Sequence, residues 1–514
     1  MGVEEAWSQG YTGKGVTIAT MDVGIDTHLL DLERNINQEW SYNFVQDNTD
    51  VTAEHFHFDH PVLGHGNNIA SVLAAEKGNS ICSAGIAYNA TIVVLKVFQV
   101  ILSDHNVIQH WTASDIIARA MIYKLVDIDI SVMAWSFVSP FQRLDLATRE
   151  GLTYGAETGR RGLGKIYVVS AGPSGNELTN NIYTITVNGI GRHGTLPQHI
   201  CGDTSVLVSG LSDGNTLTST YMVTTTVNNE CTARFKGVSA ATSQVAAIIG
   251  LALQANPSLM LRDIQHLLVQ SAEYKGLDET DAFSRNGAGR FYHRFFGFGL
   301  LNATKLVTLA KKRQKAPVLL NAKLEQTAER ISEDGHSSEY KFCHCCNASS
   351  KQPCLTVIEH VVISLVFETY TRQLNMDLTS PSGTRSKLMR ESKRLDGTTI
   401  GQLVSVHFWD ELAIGEWTFN FHSIPSLRSC SQTNVSRVSV TLYGTNAIQQ
   451  DVKGHSCDYS CRDNVEYENK RPKQQPDQPR TFLFFSNNIA ADRILYLVIV
   501  FGSLGIAIVL TKFI

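Results

Sequence analysis

The chain has no surplus of charge of either sign. Its 44 Lys and Arg stand against 48 Asp and Glu, a formal net charge of −4, so no global basic excess argues for nucleic acid as a partner. Its start has none of the marks of a secretory leader, because Met1-Gly2-Val3-Glu4-Glu5 is acidic and polar rather than basic and then apolar. Nor is it a myristoylation signal, since Ala6 occupies the position that requires Ser or Thr. Residues 494–510 run without charge between Arg493 and Lys512, at the short edge of what crosses a bilayer as a helix. Metal-ligand spacing is also lacking. Cys343, Cys345, Cys346 and Cys354 are crowded, but Cys-x-Cys-Cys is a poor zinc pattern, and disulfides, with Cys430 also within the same region, suit a lumenal setting better.

What is present is ordinary globular protein, 43% hydrophobic and 18% charged, long enough for two or three domains. Up to residue 313, strand-like runs (16–21, 91–97, 166–169, 182–187) alternate with helical ones (67–75, 112–125, 240–255, 262–271). That alternation predicts a parallel sheet with helices on both faces. Lys311-Lys312-Arg313-Gln314-Lys315 closes this region as a basic helix end. Residues 317–446 turn to short alternating strands, an antiparallel β-sandwich. Residues 447–492, rich in Gln, Asn, Pro and charge, read as a stalk, and 494–511 as a transmembrane helix. Asn347 and Asn434 begin glycosylation sequons in loops.

Three residues carry chemistry by their setting. Asp22 follows the apolar run 16–21, which would deliver it at the buried end of a strand. His65 lies between Gly64 and Gly66, which keep bulk away from an approaching substrate backbone. Ser239 opens a long helix of small and apolar residues, so it sits where the positive end of the helix dipole favours a developing anion. A carboxylate to fix an imidazole, an imidazole to take a proton, and a hydroxyl to attack a carbonyl make a complete acyl-transfer set.

Their order is that of subtilisin, and the surrounding segments extend the likeness. Gly10-Tyr11-Thr12-Gly13-Lys14-Gly15-Val16, Gly85-Ile86-Ala87-Tyr88-Asn89-Ala90, Arg262-Asp263-Ile264-Gln265-His266 and Gly297-Phe298-Gly299-Leu300-Leu301 resemble the furin and kexin-type proprotein convertases of the subtilisin superfamily. Residues 377–386, Trp409-Asp410-Glu411 and Gly415-Glu416-Trp417 resemble that family's P domain, a jelly roll. The resemblance implies a subtilisin-like α/β peptidase, a disulfide between Cys82 and Cys231, and a structural Ca2+ held in part by Asp31 and Asn79. It also implies protein or peptide substrates, an inhibitory prosegment, membrane anchoring, and residence in the Golgi or endosomes. A convertase needs a leader and a prosegment, so the start at Met1 leads us to expect a truncated gene model or a degenerate copy.

The chain also departs from the family pattern. In gap-free register Pro173, which has no donor, falls where subtilases place an oxyanion-hole Asn, whereas a three-residue slip offers Asn176. Val23 and Val62 replace acids that select paired basic residues, and Ala134-Trp135-Ser136-Phe137-Val138-Ser139 replaces an acid-bearing strand; cleavage confined to paired basic sites would imply that another acid, such as Asp145, has taken over the role. The expectation is a membrane-anchored serine endopeptidase with weak or no preference for paired basic sites; the alternative is a catalytically impaired paralogue that binds a prosegment, inhibitor or substrate.

Overall fold

The computed structural model describes the chain except for residues 55–63, 103–107, 198–200, 214–221, 278–281, 333–335, 347–352, 392–394, 426–433, 447–481, 485–495, 503–504 and 512–514. Val62, Asn347, Cys430 and most of the expected stalk lie outside the described residues.

The first layer is a nine-stranded sheet built from β1 (Thr17–Asp22), β2 (Tyr42–Asn43), β3 (Thr91–Lys96), β4 (Ile130–Met133), β5 (Ile166–Ser170), β6 (Thr184–Gly191), β7 (Val206–Ser212), β8 (Ala272–Glu273) and β9 (Leu300–Leu301). Their spatial order is β8-β9-β7-β6-β5-β4-β1-β3-β2. All neighbours are parallel except β8 with β9. The inner strands are continuous apolar runs because both faces are covered. The covering helices are α1 (His65–Ala74), α2 (Ser114–Ile122), α3 (Leu146–Gly162), α4 (Gly237–Ala255), α5 (Leu261–Ser271) and α6 (Ala303–Ala310). Helix α4 alone among the described residues is long and apolar enough to cross a membrane, and most of it is buried in this core.

The second layer is wholly antiparallel: β10 (Leu320–Lys323), β11 (Glu325–Ile331), β12 (Ser337–His344), β13 (Val357–Thr379), β14 (Arg385–Glu391), β15 (Leu395–Ser405), β16 (Gly415–Pro425) and β17 (Asn434–Thr445). Strand β13 is the spine. Its first half pairs with β17 and β15, its last part with β16 and β14, and the register shifts near Thr371. A long strand that changes partners in this way lets short alternating strands wrap one apolar core, here centred on Phe367, Phe408, Trp417 and Phe419.

The two layers share side chains. Trp409 belongs to the core of the α/β layer, whereas Phe141 packs edge-on to Phe367 in the β layer, at 5.5 Å. Glu359, at the start of β13, accepts two hydrogen bonds from Arg262 of α5, and its Oε1 also meets His266 Nε2 at 3.1 Å.

Residues 469–514 form a separate unit. The apolar stretch expected as a helix over 494–511 is described there as two antiparallel strands, Tyr496–Gly502 and Gly505–Thr511, with Phe482–Phe484 alongside. The β-branched Val498, Ile499, Val500, Ile506, Ile508 and Val509 favour extended backbone.

Candidate active site

Strand β1 ends on Asp22 at the carboxyl edge of the parallel sheet, where α/β proteins open their binding crevices. The side chain is almost fully buried. Its Oδ1 accepts from Val23 N and from His65 Nδ1, both at 2.9 Å. His65 is the first residue of α1. Its flanking glycines serve packing more than substrate approach. A Cβ on Gly66 would lie 2.0 Å from Gly24 O, and one on Gly64 2.3 Å from Thr226 Oγ1. Without side chains there, α1 seats its first turn directly against the loop after β1.

His65 Nε2 lies 3.1 Å from Ser239 Oγ, the third residue of α4. Ala134 O, 2.7 Å from Oγ, is a second acceptor within reach of the single hydroxyl hydrogen, which it and Nε2 share as alternatives. Burial pushes the imidazole down, but the charge and hydrogen bond of Asp22 more than offset that and hold His65 above its ordinary value. The three side chains, from β1, α1 and α4, thus form one continuous hydrogen-bonded chain. Its chemistry is that of a hydroxyl, an imidazole able to take its proton, and a carboxylate that orients and stabilises the resulting imidazolium.

Several supports carry no motif. Trp135 Nε1 donates to Met21 O at 2.7 Å, tying the end of β4 to β1 beside Asp22. Thr224 Oγ1 bonds Asn68 Oδ1, and Thr225 N bonds Ser71 Oγ, so the hairpin Met222–Thr225 and Cys231–Phe235 is docked on α1. Cys82 and Cys231 are disulfide-bonded with their Cα atoms 5.3 Å apart. Together these fix the approach to Ser239 relative to His65. Apart from the disulfide, which the family resemblance implies, they escape a sequence reading because each joins groups 114 to 156 residues apart. In the β layer Cys346 and Cys354 are bonded to each other, and Cys343 and Cys345 are also in disulfides.

Asn176 is fully buried. Its amide donates to Ser136 Oγ at 2.9 Å and Phe137 O at 3.2 Å, and its Oδ1 accepts from Leu178 N at 3.0 Å. These bonds brace the underside of residues 136–137. Asp145 caps α3, accepting from Thr148 N and Thr148 Oγ1. At the start of α4, Gly237 N donates to Asp213 Oδ1 at 2.9 Å.

Asp31 and Asn79 meet at 2.8 Å, Asn79 Nδ2 donating to Asp31 Oδ1, and Thr225 Oγ1 donates to Asp31 Oδ2. Asp31 is fully buried, and burial raises its pKa above the ordinary carboxylate value although both donors pull it back. No cation among the described residues pairs with it. A buried carboxylate answered only by neutral donors fits a hard divalent ion. For that, Asn79 would turn in its Oδ1, which here accepts from Ile81 N. Asn434 opens β17 and is exposed.

Residues 13–299 match the subtilase family, and residues 358–427 the proprotein convertase P-domain. The chain is 32% identical over 466 residues to proprotein convertase subtilisin/kexin type 6 of Rattus norvegicus, covering 87% of this chain and 48% of that one. It is 31% identical over 467 residues to neuroendocrine convertase 2 of Drosophila melanogaster, covering 87% and 69%. The chain thus spans about half the length of the rat relative. The fold resembles the serine protease of Aeromonas sobria, solved with its chaperone, with a TM-score of 0.69 at 18% identity over 85% of this chain and 89% of that one. With a subtilisin-like parallel-sheet domain followed by a β-rich P domain, the chain belongs to the subtilase family, among the proprotein convertases.

Proposed function

We propose that this protein is a serine endopeptidase that cuts protein or peptide substrates by acyl transfer, with Ser239 as nucleophile, His65 as general base and Asp22 as the orienting carboxylate. The observation that carries the reading is the unbroken chain Asp22 Oδ1 to His65 Nδ1 and His65 Nε2 to Ser239 Oγ. On substrate attack the Ser239 proton passes to Nε2, and later from Nε2 to the leaving amine. The dipole of α4 favours the tetrahedral oxyanion. Asp31 and Asn79, with main-chain carbonyls of the loop 76–83, would hold a Ca2+ that crosslinks that loop to the segment after β1. Processing of proproteins in the secretory pathway, with a separate inhibitory prosegment and an anchor over 494–511, completes the reading. The test is hydrolysis of a quenched-fluorescence peptide library by the full chain. Turnover should vanish in Ser239→Ala and in His65→Ala, and turnover retained by Ser239→Ala would overturn the assignment.

A second reading, a convertase paralogue that binds without cutting, is favoured by Pro173 and by the engagement of both Asn176 amide protons with Ser136 and Phe137. An oxyanion hole short of one such donor loses about 10² to 10³ in rate. Binding of peptides without turnover by the wild-type chain would select this reading.

A further inference from the structure

Which peptides fit beside Ser239 follows from what stands on the rim of the sheet. Four strand ends converge there, those of β1, β3, β4 and β5, and the segments after them are residues 22–25, 97–98, 134–138 and 171–173. The one carboxylate in those segments is Asp22, and its Oδ1 is already held by His65 and Val23 N. Carboxylates just beyond the rim are also engaged. Glu54 pairs with the buried Lys96 at 2.9 Å, Glu177 with Arg149 at 2.6 Å, and Asp213 accepts from Gly237 N.

In place of charge the rim carries aromatic rings. Phe98 meets Trp135 edge to face at 5.0 Å, Trp135 meets Phe137 at 6.1 Å, and Phe235 stands edge-on to His65 at 6.0 Å. Phe98, Trp135 and Phe137 are each half-buried. Trp135, the middle of this row, follows Ala134, whose carbonyl lies 2.7 Å from Ser239 Oγ. Behind it Val23 and Val100 are buried together with Ala53.

We propose that this cleft takes peptides with aromatic or branched aliphatic side chains next to the scissile bond and disfavours Lys and Arg there; this rests on the reading of the site as peptide-cleaving. Covering the aromatic row removes apolar surface from water on both partners, and ring-on-ring contact adds to it. An ammonium or guanidinium brought to the same place loses hydration, and of the carboxylates around the rim Glu54 and Glu177 are already paired with Lys96 and Arg149, and Asp22 is held by His65. Cation–π attraction to Trp135 offsets only part of that loss.

Binding can be read apart from catalysis by using the full chain carrying Ser239→Ala. Fluorescein-labelled octapeptides, identical except for a central Leu-Phe or Lys-Arg pair, are titrated by anisotropy. Leu-Phe should bind at least about tenfold more tightly, and the advantage should shrink below about threefold in Phe98→Ser or, independently, in Phe137→Ser. Equal or tighter binding of Lys-Arg, or no binding of either peptide, overturns the proposal. Wild-type turnover is measured separately. If Leu-Phe binds preferentially but nothing is cut, the specificity stands and the catalytic reading falls.

Discussion

In the proposed mechanism His65 has to be neutral to accept the Ser239 proton, and Asp22 holds its pKa above the ordinary histidine value against the opposing pull of burial. As pH falls through that raised value the imidazolium forms and the base is lost. The acid limb of the rate profile should therefore sit above about 6.5, the unperturbed midpoint. Asp22→Asn should shift the limb downward and cut the rate by about 10³ to 10⁴; a pH–rate series on both proteins checks this. Lys165 gives a second titration. It is fully buried, and desolvation lowers its pKa to about 7, although Nζ donates to Met121 O and Tyr123 O at the end of α2. Between about 7 and the unfolded value near 10.4 the unfolded chain binds the extra proton. Stability contributed at this site thus rises with pH across that window, by at most about 1.4 kcal/mol per unit, and below it the full cost of the buried charge is present. Lys165→Met should raise Tm at pH 6 and flatten the rise; an unchanged slope in denaturant melts would contradict this. The convergence of Asp22, His65 and Ser239 was legible because each sits in a distinctive local frame. Lys165 was not, since a lysine before an apolar strand looks like a solvated end until the C-terminal carbonyls of α2 are seen around it.

Among the elements, the core strands were readable where apolar residues run unbroken, as in β1, β3 and β5, because both faces of the parallel sheet are covered. Helix α1 begins at His65, two residues ahead of the expected 67, since the glycines that look like substrate clearance are the close contacts with Gly24 and Thr226. Strand β13 was illegible as one 23-residue element, because its two halves face different partners and its alternation changes register midway. The hairpin that leads to Ser239 depends on the bond between Cys82 and Cys231, a separation of 149 residues. Cys82→Ser combined with Cys231→Ser should lower stability by about 3–5 kcal/mol. Chemical denaturation of the purified chain measures the loss, and a difference below about 1 kcal/mol would show that Thr224 and Thr225 dock the hairpin on their own.

For the molecule as a whole, the joint between the α/β and β layers rests on Glu359. Burial alone would raise its pKa, yet His266 and Arg262 bring it to about 2. Arg262→Ala leaves that carboxylate buried with only His266 beside it, and should cost about 3–5 kcal/mol, seen as a lower Tm or as two separate melting transitions. Removing both partners' charge with Arg262→Met and Glu359→Met together should cost less. The anchor and lumenal topology are tested by expressing the chain behind a secretory leader. The protein should then resist alkaline carbonate extraction and carry a glycosidase-sensitive glycan at Asn434. Extraction into the soluble fraction would remove the membrane claim.

The central claim is that the hydroxyl of Ser239 is activated by His65. A fluorophosphonate reacts with such a hydroxyl and not with an ordinary serine, so the most direct measurement is its rate of reaction with the folded full chain, with the modified residue located by peptide mapping. The account predicts modification at Ser239, abolished in Ser239→Ala and in His65→Ala. Equal labelling of wild type and Ser239→Ala, or no labelling of a folded wild-type chain, would contradict it.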